Sequence, residues 1–184
     1  LDYRVTTDLP KHITSTTGMD ALTHAVEAYI GRSTTSHTRR MAEEAVGLIK
    51  TYLKRAYDDG TDTEAREQML RAAYCAGIAF TQSYVGYVHG VAHSLGGRYG
   101  VPHGLANAVI LPYFLDRYGK SCEKRLARLA RACTVAPKDA EVHTAAQTFI
   151  SWVREMNRSM NIPDKIDGNE KFIRVLEKGV CPET

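Results

Sequence analysis

Five side chains in this sequence have the types and spacing to do chemistry: Asp20, His24, His89, His93 and His103. Residues four apart on a helix share a face, so Asp20 and His24 form one pair and His89 and His93 another. His103 follows a Gly-Gly and a Val-Pro, punctuation that breaks one helix and starts the next. An imidazole in the first turn of "HGLANAVIL" can swing back toward the earlier histidines. Carboxylate and imidazole donors in this pattern are what a divalent metal site needs. No thiolate is among them, so Fe(II), Zn(II), Mn(II) and Ni(II) suit the set about equally well on chemical grounds.

Blander readings compete with this one. For a lone Asp/His pair, the ordinary expectation is a polar face turned to water, and Leu22, Ala25, Val26 and Tyr29 do project to the opposite side. Glu27 shares the side of Asp20 and His24. The histidine segment shifts the weight toward a cleft. His89-x3-His93 has the spacing of the H-E-x-x-H zinc proteases, but Gly90 stands where their general-base glutamate belongs. "LGGRYG" follows no strand and makes no dinucleotide-binding turn. A metal-dependent hydrolase wants a further general base, and Glu27 points one turn too far along. The reading from another class is a non-catalytic helical interaction module with structural histidines. Composition alone favours that module; Asp20, His24, His89 and His103 together weigh against it. His12, His37 and His143 lie outside the pattern and read as surface residues.

The elements that must position these groups are helical. Apolar residues recur with a helical period along "TTGMDALTHAVEAYIG", which stops at Gly31. "SHTRRMAEEAVGLIKTYLKRAYDDG" puts Met41, Ala45, Val46, Ile49, Leu53 and Ala56 on one face, with Ser36 as cap and Gly60 as stop. "TDTEAREQMLRAAYCAGIAF" opens on Thr61-x-x-Glu64, a capping-box pattern. "GLANAVILPYFLDRYG" is apolar nearly all round and reads as buried. "KSCEKRLARLARAC" is short and amphipathic. The next helix starts at Pro137 and runs on Val142, Ala146, Phe149, Ile150, Val153 and Met156. A loop, "IPDKIDGNE", precedes a last short helix. No stretch alternates long enough to argue a sheet. The expectation is an all-α bundle of about six or seven helices.

The 184 residues suffice for one domain with a sizeable core. Two parts are expected: residues 1–15, an extended-looking remnant of an interdomain segment, and residues 16–184, the helical domain. The net charge of +3 is too small to imply a nucleic-acid partner, and acids and bases interleave as on a solvated face. No apolar run is long enough to span a membrane. Cys75, Cys122, Cys133 and Cys181 have no CxxC spacing, which points to a reducing cytoplasm rather than disulfides.

Two segments, "GMDALTHAVEAYIG" and "VHGVAHSLGGRYGVPHGLANAVILPYFL", closely resemble the signature regions of the iron-containing (group III) alcohol dehydrogenases. "LPKHITSTTGMDAL" fits as well, and the match is good from about Leu9 to Leu115. The resemblance implies the C-terminal, metal-binding helical domain of a two-domain enzyme, whose N-terminal domain binds NAD or NADP. It implies Asp20, His24, His89 and His103 as metal ligands, with Fe2+ the first expectation and Zn2+ the second. His93 falls on a histidine beside the metal that is assigned to proton transfer or substrate contact. Asp20 argues against the maleylacetate reductase branch, which tends to carry asparagine there. The implied partners are a small alcohol or aldehyde, the N-terminal nucleotide-binding domain and a second copy of the chain. The fragment alone is expected to be inactive, since it has no strand, glycine-rich turn and helix N-terminus for the dinucleotide.

Overall fold

The computed structural model describes residues 2–166. Among them are seven α-helices and no strand: α1 Lys11–Ile30, α2 Ser36–Asp58, α3 Thr63–Ser83, α4 Tyr87–Tyr99, α5 His103–Tyr118, α6 Glu123–Ala132 and α7 Val142–Ser159. Short 3-10 turns lie at Tyr3–Thr6 and Gly119–Ser121. The short helix expected at the C-terminus, and Cys181, lie outside the described residues. Cys75, Cys122 and Cys133 are free thiols, all buried. No helix here is long and apolar enough to cross a membrane.

Helix α1 is the axis of the bundle. It touches α2, α3, α4, α5 and α6, while α2 packs on α3 and α6 on α7. With neighbours on every side, α1 is buried on nearly every face, from Thr14 and Ser15 through Met19, Leu22 and Val26 to Tyr29. This corrects the expected single apolar stripe. Its polar side turns toward α4 and α5, and Glu27 on it is only 4% exposed.

Local boundaries depart from the sequence reading where side chains found better partners. The first residues are not extended: Asp2 caps the Tyr3–Thr6 turn by accepting from the Arg4 amide at 3.1 Å. Helix α1 then reaches back to Lys11, after Pro10, into the stretch read as an interdomain remnant. The buried Arg66 guanidinium ties this segment down. It donates to the Thr14 hydroxyl at 2.8 Å, to the Gly60 carbonyl at 2.9 Å and to the Leu9 carbonyl at 3.4 Å.

Capping shifts by one residue at two further starts. Thr35, not Ser36, caps α2, and Asp62 caps α3 by accepting from the Ala65 amide at 3.0 Å. Thr61 is drawn away to Asp59, and Glu64 pairs with Arg55 instead of closing a box. Pro137 makes a turn with Ala140, so α7 starts only at Val142.

The break between α4 and α5 comes later than the Gly-Gly suggested. Helix α4 runs through Gly96 and Gly97 to Tyr99. It ends at Gly100, whose φ of +68° is a left-handed cap that glycine adopts without strain. Pro102 then opens α5, placing His103 in its first turn. Beside it, Gly104 lets α5 cross α1 closely: a Cβ there would lie 2.6 Å from the Thr16 carbonyl oxygen.

This crossing generates a paired prediction. Gly104→Ala must push α5 off the α1 backbone and should cost about 1–3 kcal/mol in urea denaturation. Gly90→Ala, also helical but with open space around it, should stabilise by about 0.5–1 kcal/mol. Equal effects of the two would show that the α1–α5 contact does not set the fit.

Candidate metal centre

Three helices deliver the donors. Asp20 comes from the middle of α1, His89 from the first turn of α4 and His103 from the first turn of α5. One ligand atom from each lies within 4.8 Å of the others. His89 Nε2 and His103 Nε2 are each 3.4 Å from Asp20 Oδ1. Burial is graded across the group: the His89 side chain is 1% exposed, Asp20 20% and His103 40%. The centre therefore opens on the His103 side.

Two residues hold the donors in place, Asn107 on α5 and Glu27 on α1. Asn107, one turn after His103 on α5 and fully buried, has its amide Nδ2 2.6 Å from Asp20 Oδ1 and 3.0 Å from His103 Nε2. On His89, Nδ1 lies 2.7 Å from the Glu27 carboxylate. Ionised carboxylates only accept hydrogen bonds, so Nδ1 carries the proton and Nε2 faces Asp20 and His103. Glu27 accepts further from the Gly86 and Val88 amides, both at 2.8 Å.

The electrostatics follow from these partners. Burial works against the charged form of Asp20, but the adjacent His89, His24 and His103 imidazoles and the Asn107 amide bring its pKa below the ordinary value. Burial would depress His89; the carboxylates of Asp20 and Glu27 on its two nitrogens override that and lift it to about 9. His24 is pushed down by burial to about 4.

Not every expected residue joins the group. His24 lies one turn from Asp20, yet its nitrogens are not among the atoms gathered within 4.8 Å. Its ring stacks face to face on His89 and on Phe80, each with centroids 4.2 Å apart. His93 sits on the exposed side of α4, its ring stacked on His103 at 5.0 Å and edge-on to His89 at 6.1 Å. His12, His37 and His143 are exposed, and His143 pairs with Glu123 at 2.7 Å. Sequence reasoning passed over Asn107, and it took Glu27 only as a misplaced general base. The signal that could have found Glu27 is its type: an acid seven residues after Asp20, two turns on along the same helix, can meet a ligand from behind.

Whether these residues suit a divalent cation can be judged from the donors themselves. His89 Nε2 is buried and has no hydrogen-bond partner, and Asp20 Oδ1 stands 3.4 Å from it without accepting a hydrogen bond. A buried nitrogen left unpaired is costly. Here it is aimed at a carboxylate and a second imidazole, an oxygen and nitrogen set of the kind that holds Fe(II), Zn(II) or Mn(II). The donors fit.

Residues 14–170 match the family described as Fe-containing alcohol dehydrogenase family, C-terminal. The chain belongs to the Fe-containing alcohol dehydrogenase family. It is 50% identical over 121 residues to alcohol dehydrogenase 4 of Schizosaccharomyces pombe, covering 66% of this chain and 28% of that protein. It is 37% identical over 163 residues to the NADPH-dependent butanol dehydrogenase of Clostridium saccharobutylicum, covering 89% and 41%. The crystal structure of a 1,3-propanediol oxidoreductase superposes with a TM-score of 0.85 at 37% identity, covering 88% of this chain and 42% of that one. The chain thus spans less than half the length of these relatives, and the resemblance read from its two signature segments holds at the level of family and of C-terminal domain.

The Asn107 bridge is testable. Asn107→Asp puts a second carboxylate against Asp20 in place of an amide donor. With chelator at neutral pH, the variant should lose about 1–3 kcal/mol of stability. Added Zn2+ or Mn2+ should restore it, because a ligand of the folded state alone raises stability. Melting curves identical to wild type in chelator would show that Asn107 does not bridge Asp20.

Proposed function

We propose that this chain is the metal-binding catalytic part of an NAD(P)-dependent alcohol dehydrogenase, interconverting small alcohols with aldehydes or ketones. The observation that carries the reading is the convergence of Asp20, His89 and His103 from three helices around an unpartnered, buried imidazole nitrogen. The proposed ligands are Asp20, His24, His89 and His103, with Fe2+ ahead of Zn2+. His24 is the fourth donor on the ground that it stands one turn after Asp20 and against the His89 ring.

When bound, the cation supplies Lewis acidity at the alcohol oxygen and the nicotinamide accepts the hydride. The chain's own residues do the rest. Asp20 and Asn107 fix the buried floor of the centre, and the part-exposed His103 marks its open side, from which a small alcohol enters. His93, exposed and stacked on His103, holds or relays the hydroxyl proton at the mouth. The dinucleotide is assigned to an N-terminal nucleotide-binding domain, since no strand that could carry it occurs among the described residues.

Metal analysis tests the ligand set. The chain should bind about one divalent ion, and Asp20→Ala or His103→Ala should each lower occupancy strongly. Unchanged stoichiometry in both would sink the assignment. His93→Ala, in the protein carrying its nucleotide-binding domain, should keep the metal and lose turnover; loss of metal as complete as in His89→Ala would make it a ligand instead.

A second measurement concerns the chain by itself. With Fe2+ or Zn2+ supplied anaerobically, it should show no alcohol oxidation with either NAD or NADP, because no strand-and-turn element among the described residues holds the nicotinamide within the roughly 3–3.5 Å of a near-attack geometry. Turnover abolished by Asp20→Ala would reveal a dinucleotide site within these residues.

A further inference from the structure

Glu27 is the least expected feature of the centre. It is a carboxylate on the central helix, 4% exposed, and among the described residues it pairs with no Lys or Arg, only with His89. A buried charge survives only if its lone pairs are filled. Here three donors fill them, all from the start of α4: the Gly86 amide, the Val88 amide and His89 Nδ1. Backbone and imidazole thus converge on one acceptor.

The approach is close enough to restrict the sequence. A Cβ at Gly86 would lie 2.6 Å from Glu27 Oε1 and 3.0 Å from its carboxyl carbon. Gly86 also caps α4 without a side chain of its own. Glu27 therefore does from α1 what a capping side chain does locally, satisfying amides at the helix start.

We infer that Glu27 is the positioning residue of His89: its carboxylate holds the Nδ1–H and thereby turns Nε2 toward Asp20 and His103. This rests on the reading of those three residues as a metal centre. A histidine ligand generally donates its other ring N–H to a carboxylate or carbonyl, which fixes the tautomer and the ring plane. Only an acceptor-only group suits all three donors. In Glu27→Gln one oxygen becomes an NH2 that faces either the Val88 amide or the Gly86 amide and His89 Nδ1. The first choice sets donor against donor. The second favours the other tautomer, with the proton on Nε2, where it blocks the metal.

The rival reading is that Glu27 merely caps α4. The two separate on the state of the His89 ring. In the Zn2+-loaded, 15N-labelled chain, long-range 1H–15N spectra should show His89 with an exchange-protected Nδ1–H shifted downfield by its carboxylate partner. Glu27→Gln should keep its far-UV dichroism, lose that signal and bind Zn2+ at least about tenfold more weakly by competition titration. Gly86→Ala, which displaces the carboxylate while keeping its charge, should weaken Zn2+ binding in the same direction. An unprotected Nδ1–H in the wild type, or unchanged Zn2+ affinity in Glu27→Gln, overturns the inference alone. A wild-type chain that binds no divalent cation overturns the metal-centre reading with it. Should Glu27→Gln fail to fold, the wild-type spectrum and Gly86→Ala decide.

Discussion

A helix buried on nearly every face cannot carry ionisable groups there unless its neighbours satisfy them. Helix α1 is such a helix, and it carries Asp20, His24 and Glu27. Glu27 is almost wholly buried, and the neighbouring elements supply its hydrogen bonds. The start of α4 gives Glu27 its three donors, and α5 gives Asp20 an amide from Asn107. The partners that make this burial tolerable are the same residues that bring His89 and His103 to Asp20. Core and centre are therefore one arrangement seen from two sides.

Close backbone approach makes this possible. Gly86 lets the α4 start come down onto Glu27, and Gly104 lets α5 lie on the Thr16 carbonyl. The glycines of "LGGRYG" have a different part. Gly97 has open space around it and Gly100 supplies a left-handed turn. That turn, with Pro102, sets where α5 begins and hence where His103 stands.

Helices were legible because period and punctuation agree over long stretches, and α2, α5, α6 and α7 bury the faces their patterns indicate. Caps were less legible. Thr35 against Ser36, or Asp62 against Thr61, is decided by competing hydrogen bonds among adjacent polar residues, which a one-dimensional pattern does not rank. In the centre, the two i,i+4 pairs and the late His103 marked the segments that meet. Which members meet was not written in the spacing. His24 packs between Phe80 and His89, while Asn107 and Glu27, residues of unremarkable type, hold the donors. Such contacts span 62 and 87 residues in sequence, and no local rule reaches that far.

The charges finally bear on what the centre is for. Two carboxylates, Asp20 and Glu27, face one buried imidazole from opposite sides. Something positive must lie between them. A second proton on His89 is one solution, and the two carboxylates raise its pKa to about 9. As a hydrogen bond that solution is poor, because Nε2 stands 3.4 Å from Asp20 Oδ1 and finds no partner there. On the surface, by contrast, His143 and Glu123 close to 2.7 Å. The gap is instead shared evenly with His103 Nε2, also 3.4 Å from the same oxygen. Three donors held apart around one point, with the buried His89 braced from behind by Glu27, are the arrangement on which the proposed cation rests.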